Sequence, residues 1–373
     1  MPLPPPVLIK QPEQLDAMLS RLTTAPAIGV DTESDSLYVY REKVCLVQFS
    51  IPEADYLVDP LAPGLSLEPL RKLFADPSIV KVFHAAEYDV MCLKRHAGFQ
   101  FRNLFDTMWA ARILGWKQFG LATILKEHFG VQMDKRWQRH NWGQRPLERQ
   151  ALAYARLDSH YLIQLQDIQV QELGARDLTE HARETFAQVA EALPAPRETH
   201  PDDFWRVKGA WDLPPRSQAV LRELFVFREK EASRRDCPPF KVMGDKTLMA
   251  LAQARPSRAQ GLASLDGMSP LQIKRYGEKV IGAVTRGLSA PIPRAPRSSP
   301  PDYGLLNRYE RLRAWRKQVA VGRGVEPDVI VSNAVLMAVA QRQPRTPQEL
   351  AGIEGLGPWR LKTFGQQLVE AWR

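Results

Sequence analysis

Asp31 and Glu33 stand two residues apart, directly after the apolar run Ile28-Gly29-Val30. Side chains alternate along a strand, so both carboxylates point to the same face. Two carboxylates that close repel, and a divalent cation is the usual countercharge. Tyr154 and Asp158 lie four apart within the apolar stretch from Leu152 to Leu165. On a helix that spacing sets a phenol and a third carboxylate on one face, about one turn apart. A fourth acid, Asp89, falls in the first turn of the helix expected after the strand Val80 to Phe83, within His84-Ala85-Ala86-Glu87-Tyr88-Asp89. Each feature has a plainer reading of its own: a strand end for the first pair, a favourable helix N-terminus for Asp89, a core phenol for Tyr154.

Positioning such groups takes a scaffold in which strands and helices alternate, and the first 170 residues read that way. Gln11 to Leu22 is expected as a helix, Ala27 to Glu33 as a strand, Val44 to Ser50 and Asp55 to Val58 as strands, Leu67 to Phe74 as a helix and Ile79 to Phe83 as a strand. Glu87 to Arg95, Thr107 to Leu114, Leu121 to Phe129 and Leu147 to Gln171 carry the 3.6-residue helical period. The fold class expected is α/β with a mixed sheet.

The rest of the chain differs in charge. Residues 1 to 200 hold 22 Lys and Arg against 25 Asp and Glu, whereas residues 201 to 373 hold 29 against 17, so the net +9 arises entirely in the second half. A basic half beside a mildly acidic one fits a polyanion partner for the first and cations for the second. The basic half also repeats itself. Residues 224 to 277 match residues 312 to 365 at a constant offset of 88 without a gap, and Leu248 to Pro256 shares six of nine residues with Leu336 to Pro344. Both copies have helical spacing and no strand signal, with Gly-Met-Ser-Pro at Gly267 to Pro270 and Gly-Leu-Gly-Pro at Gly355 to Pro358 each starting a helix. Ser289 to Asp302, with five prolines and three serines, reads as a stiff linker between them.

With Pro238-Pro239-Phe240 and the Leu-x-x-Leu-Ala run, each copy resembles an HRDC domain, a compact helical module linked to nucleic-acid binding or protein contact and without chemistry of its own. Asp31-x-Glu33, Asp89 and Tyr154-x-x-x-Asp158 resemble, in that order, the three exonuclease motifs of the DEDD superfamily in its tyrosine-bearing subgroup, whose fold is ribonuclease H-like. Val44-Cys45-Leu46-Val47-Gln48, Val58-Asp59-Pro60, Asp106-Thr107 and Arg145-Pro146-Leu147 fall in the order seen in the ribonuclease D family. Many members of that family carry Phe after Asp-Thr-Glu where this chain has Ser34. Asp35, next in the alternation, is expected at the surface or behind the site. The resemblance divides the chain into an exonuclease domain over 1–200, a first HRDC domain over 210–288, the linker 289–302 and a second HRDC domain over 303–373.

What the resemblance implies is a 3′→5′ exoribonuclease that uses two divalent ions, Mg²⁺ or Mn²⁺, to release nucleoside 5′-monophosphates from RNA with a free 3′ end, with tRNA precursors as the substrate class. Asp31 would bridge both ions, Glu33 and Asp158 would complete the water-activating site, Asp89 would support the second ion and Tyr154 would aim the water. Two other readings stand beside it: a DNA 3′→5′ exonuclease built on the same acids, and a nucleic-acid-binding scaffold with a silent catalytic domain. Candidate nucleic-acid contacts are His84, Trp137, Arg139 and Trp142 in the first half, and Arg234, Arg235, Lys274, Arg275, Arg316 and Lys317 in the second. Tyr276, Trp315, Trp359 and Phe364, at helical spacing, are expected mainly in the core. Cys45, Cys92 and Cys237 are odd in number and form no C-x-x-C pair, so neither a disulfide framework nor a zinc site is indicated. With no apolar run of about 20 residues and no signal-peptide layout, the expectation is a monomeric cytoplasmic protein with no membrane contact.

Overall fold

A computed structural model of the chain describes residues 3–194, 199–294 and 302–373. Of the linker expected at 289–302, residues 295–301 lie outside these. The N-terminal part runs β1 (Val7–Ile9), α1 (Pro12–Leu22), β2 (Ala27–Ser34), β3 (Val44–Ile51), β4 (Ala54–Val58), α2 (Leu70–Ala75), β5 (Val80–Phe83), α3 (Glu87–Ala97), β6 (Leu104–Asp106), α4 (Thr107–Ile113), α5 (Leu121–Phe129), α6 (Arg149–His160), α7 (Leu162–Ala175) and α8 (Thr179–Ala190). The six strands make one mixed sheet in the order β1-β4-β3-β2-β5-β6. β3 is antiparallel to both its neighbours, while β1–β4, β2–β5 and β5–β6 are parallel.

Alternation along the central strands sorts the two faces. Ile28 and Val30 of β2, with Val47, Phe49 and Ile51 of β3, turn to the main apolar core with Leu70, Phe74 and Phe83. On the other face, Cys45 and Leu46 meet Trp142, Ala151, Tyr154 and Ala155. β3 is buried along its whole length, as a central strand covered on both sides must be.

The single helix expected over 147–171 is two, α6 and α7, with the break at Tyr161. Tertiary anchors hold the junction: the His160 ring bonds Asp55 at 2.8 Å, and the Tyr161 ring stacks on Phe129 at 5.1 Å. The edge strands β1 and β6 span three residues each, too few to show an alternation in sequence.

The helical repeats keep one register. α9 (Pro215–Arg234), α10 (Pro239–Val242), α11 (Asp245–Ala254) and α12 (Pro270–Ser289) begin at the residues matched, 88 positions later, by the starts of α13 (Tyr303–Arg323), α14 (Pro327–Ile330), α15 (Asn333–Arg342) and α16 (Pro358–Ala371). Each has its own apolar core, which takes in Tyr276 in the first and Phe364 in the second. The equivalent arginines Arg228 and Arg316 are buried, and each ties its first helix to the segment entering its third. Arg228 Nη1 donates to Asp245 Oδ1 at 2.5 Å, while the Arg316 guanidinium donates to Val331 O and Asn333 Oδ1, both at 2.8 Å.

The chain forms two compact units. One joins the N-terminal domain, apart from Asp35–Lys43, to the second repeat; the other joins Asp35–Lys43 to the first repeat. Within the second unit Asp35, expected at the surface or behind the site, is buried, and its carboxylate accepts from the Lys43 backbone N–H at 2.9 Å. Among the described residues no helix is long and apolar enough to cross a membrane.

Candidate active site

Strand register builds the site. Gly29 pairs with Ser50, Asp31 with Gln48 and Glu33 with Leu46. Gly29, Asp31, Glu33, Gln48 and Ser50 therefore share the face on which α6 lies. A register shift between Glu33 and Ser34 ends the regular pairing just past the two acids, and such irregularities often end a ladder beside a functional site. The helix comes so close that a Cβ on Gly29 would lie 2.4 Å from the Ser159 carbonyl oxygen. That contact seats Asp158, the residue before Ser159, above Asp31 and Glu33.

Carboxylate oxygens of Asp31, Glu33 and Asp158 come within 4.8 Å of one another. The three keep partial access to solvent, as ions and substrate require, although protein surrounds most of each. Burial first, and then the mutual charge of Asp89, Asp158 and Glu33, pushes Asp31 well above the usual carboxylate range. Glu33 is raised in the same way, and Asp158 is pushed up to about 8 by burial and by Asp89. The charges that act on Asp31 and Glu33 are those of other acids, so the cluster is a set of mutually repelling hard oxygen donors. That donor set fits Mg²⁺ or Mn²⁺ and lacks the imidazoles and thiolates that zinc prefers.

Asp89 stands apart from the three-oxygen cluster. Its Oδ1 accepts from the Thr32 hydroxyl between the two strand acids. Burial raises it to about 7, with the Thr32 bond opposing. Tyr154, one turn before Asp158, is buried, and burial and the neighbouring acids hold its phenol far above its usual value. It stays protonated and so can donate a hydrogen bond.

Supporting residues fix these groups from behind. Gln48 Nε2 donates to Asp31 Oδ2 at 3.3 Å. Asp55 of β4 accepts from Ser50 of β3 at 2.7 Å, and from the His160 ring at 2.8 Å and Arg156, so two partners on α6 clamp that helix to the sheet. Burial works to raise the Asp55 carboxyl, but the His160 and Ser50 bonds and the charges of His160 and Arg156 outweigh it and hold it below the usual range. Removing one partner of a buried ion pair costs about 3–5 kcal/mol. Arg156→Ala is therefore expected to lower the chemical-unfolding midpoint sharply; an unchanged midpoint would show that the clamp is dispensable. Asp106 caps α4 and also accepts from the Ala85 and Ala86 N–H groups, at 3.1 and 2.8 Å. It thereby holds the left-handed turn at Ala85 (φ 60°) that launches α3 and Asp89.

The sequence singled out Asp31, Glu33, Tyr154 and Asp158, and these converge, with Asp89 one hydrogen bond away. Gln48 and Thr32 fall within the family's motifs, where spacing alone gives them no role. The available signal was a buried-strand amide opposite Asp31 and a hydroxyl between two acids. The nucleic-acid candidates fare unevenly. Trp142 is 2% exposed and stacks toward Tyr154, so it packs the site's wall and does not reach a nucleotide. His84 bonds Thr107 at 2.9 Å, and burial lowers it to about 4, leaving a neutral ring at physiological pH. Arg316 is corrected to the structural role described above, since its guanidinium is spent on Val331 and Asn333. Trp137 is half-buried against His140, and Arg139 is exposed. Arg234 is exposed and pairs with Glu231 at 2.6 Å, while Arg235 donates to Tyr276. Lys274, Arg275 and Lys317 are exposed.

Known proteins match this arrangement along the chain. The family model for 3′-5′ exonuclease matches residues 6–173, and that for the HRDC domain matches residues 217–284 and 306–371. The chain is 32% identical to ribonuclease D of Jannaschia sp., an alignment covering 96% of this chain and 93% of that one. The crystal structure of the catalytic core of RRP6 from Trypanosoma brucei superposes with a TM-score of 0.69 at 26% identity, covering 77% of this chain and 81% of that one. That of Escherichia coli RNase D, at 23% identity, shares the fold over 98% of both chains with a TM-score of 0.70. Divalent metals are general among such exonucleases. The likeness spans catalytic domain and both helical repeats, and on that ground the chain belongs to the ribonuclease D family of 3′→5′ exoribonucleases.

Proposed function

We propose that Asp31, Glu33 and Asp158, with Asp89 at their edge, hold two divalent cations, Mg²⁺ or Mn²⁺, and that the protein trims the 3′ ends of tRNA precursors one nucleoside 5′-monophosphate at a time. The observation that carries this is the convergence of three carboxylates from β2 and α6 within 4.8 Å. When bound, two such ions supply an activated water and neutralise the charge that builds on phosphorus oxygens and the leaving 3′ oxygen. The protein's part is placement. Gln48 steadies Asp31, and Thr32 aims Asp89. Tyr154 offers its proton to the attacking water's oxygen and so fixes its line of approach. The acids and Tyr154 all come from one chain, which supports action as a monomer.

Digestion of a 3′-extended tRNA with Mg²⁺ or Mn²⁺, beside a DNA strand of the same sequence, tests the reading. Stepwise shortening of the RNA is expected, with the DNA at least about tenfold slower, because the 2′-hydroxyl is what distinguishes the two substrates. Preference for DNA, or no cleavage of either, overturns it.

Proton linkage gives a second test. Asp89 near 7 and Asp158 near 8 both stand above the 3.8 of an unperturbed Asp. Such groups contribute stability that is fully present near pH 4 and is lost as pH rises through 7 and 8. The metal-free protein is therefore expected to melt lower at pH 8.5 than at pH 5.5. Ions must displace those protons at low pH, so stabilisation by Mn²⁺ should grow across the same range. A Mn²⁺-induced melting shift equal at both pH values would contradict the assignment of these carboxylates as ligands.

A further inference from the structure

The two helical repeats start every helix in the same register, yet they differ where α12 and α16 begin. In the first repeat Ser269 caps its own helix, its hydroxyl accepting from the Gln272 N–H at 3.3 Å. The equivalent residue in the second repeat is Gly357, and a carboxylate from the N-terminal domain fills the space that a side chain there would take. A Cβ on Gly357 would lie 2.3 Å from Glu184 Cδ. Glu184 of α8 accepts from the Trp359 and Arg360 N–H groups at 2.7 and 3.3 Å and from Arg360 Nη1 at 2.8 Å. It occupies the N-terminus of a 14-residue helix as a phosphate oxygen would.

Around this clamp the docking is extensive. The His181 ring stacks on Trp359 at 4.1 Å, and Arg360 Nη2 also donates to Thr185 at 3.1 Å. Arg112 donates to Glu326 and Asp328, both at 2.7 Å. The first repeat has no counterparts for these groups: Trp359, Arg360, Glu326 and Asp328 correspond to Leu271, Gln272, Pro238 and Phe240. The groove beside the clamp, about 1020 Å³, is lined by Glu87, Glu180, Glu191 and Glu354 as well as Glu184, with Arg183 paired to Glu180. A polyanion is repelled there.

We infer that the repeats have divided their work: the second is a fixed part of the catalytic unit, its anion-accepting helix end already filled by Glu184, and RNA is held by the first. On the first repeat Lys274 and Arg275 are exposed one turn into α12, and their equivalents are Lys362 and Thr363. The inference rests on the proposed action on RNA, but its test needs no cleavage.

Binding of a fluorescent single-stranded RNA to the full-length protein in EDTA is measured for Lys274→Glu and for Lys362→Glu, a matched pair. Reversal of one phosphate-contacting charge is expected to weaken binding on the order of fivefold and flatten the salt dependence by about one unit of slope. That effect should appear for Lys274→Glu, with Lys362→Glu within about twofold of the parent. Equal losses, or a larger loss for Lys362→Glu, overturn the division of labour. Gly357→Ser installs the first repeat's residue and is expected to split the calorimetric unfolding of the catalytic unit into two transitions. Glu184→Ala, which removes the clamp without adding bulk, should do the same if Gly357→Ser folds poorly. A single transition at the parent temperature in both variants refutes the docking role. If RNA binding divides as expected while the tRNA digestion shows no cleavage, the nuclease reading alone fails.

Discussion

Asp31→Asn is expected to slow 3′ trimming roughly 10³- to 10⁴-fold, a loss of about 4–5.5 kcal/mol of transition-state stabilisation, while raising the melting temperature of the metal-free protein at pH 8. The two effects have one cause. Asp31 is pushed far up by burial and by three neighbouring acids, so its ionised form is repelled until cations arrive. An amide of the same shape removes the repulsion and with it the ligand both ions would share. Rate assays in saturating Mn²⁺ and melting curves in EDTA check the two halves. A slow variant that also melts lower would indicate a structural role for Asp31 and remove the basis for calling it a ligand.

The second large effect is expected from a residue with no functional atom. Gly29→Ala puts a methyl group 2.4 Å from the Ser159 carbonyl oxygen, 3.4 Å from Ser159 C and 3.5 Å from Leu162 Cβ. The close neighbour is backbone and cannot swing aside, so α6 must lift. Overpacking of this kind costs about 1–3 kcal/mol, and misplacing a reacting group by about 1 Å can cost roughly 10²-fold in rate. Asp158 precedes the displaced carbonyl, so kcat should fall by about that factor even where the variant is fully folded. Gly174→Ala is the control. Gly174 sits in α7 with nothing within 4 Å of an added Cβ, and there the change should stabilise by about 0.5–1 kcal/mol and leave kcat alone. Equal kcat values for parent and Gly29→Ala would mean that the strand–helix approach does not place Asp158.

These two residues also mark how far sequence carries. Spacing of two along β2 and four along α6 is local geometry, so the shared faces of Asp31 with Glu33 and of Tyr154 with Asp158 were readable, and the repeat exposed its helices. The stand-off of Asp89 was not, because it depends on a turn at Ala85 that Asp106 holds from 21 residues away. Burial of Arg316 and Trp142 was not either: residue type suggests a surface arginine or a stacking indole, whereas the answer depends on carbonyls and rings brought in from elsewhere in the chain. β1 and β6 were invisible because three residues show no period. Docking of the second repeat hangs on Glu184 meeting Arg360, a pairing across 176 residues whose traces in the sequence are Gly357 where the first copy has Ser269 and Arg360 where it has Gln272.

The four-residue interval between Tyr154 and Asp158 has an evolutionary corollary. An α-helix turns about 100° per residue, so one amino acid gained or lost inside that interval would swing Asp158 off the sheet and strand its oxygen far from Asp31. Deletion or duplication of a codon there should be lethal to function even when every essential side chain survives. The loop before α6 carries no such phase, whereas behind it Tyr161 alone separates α6 from α7 and leaves no slack.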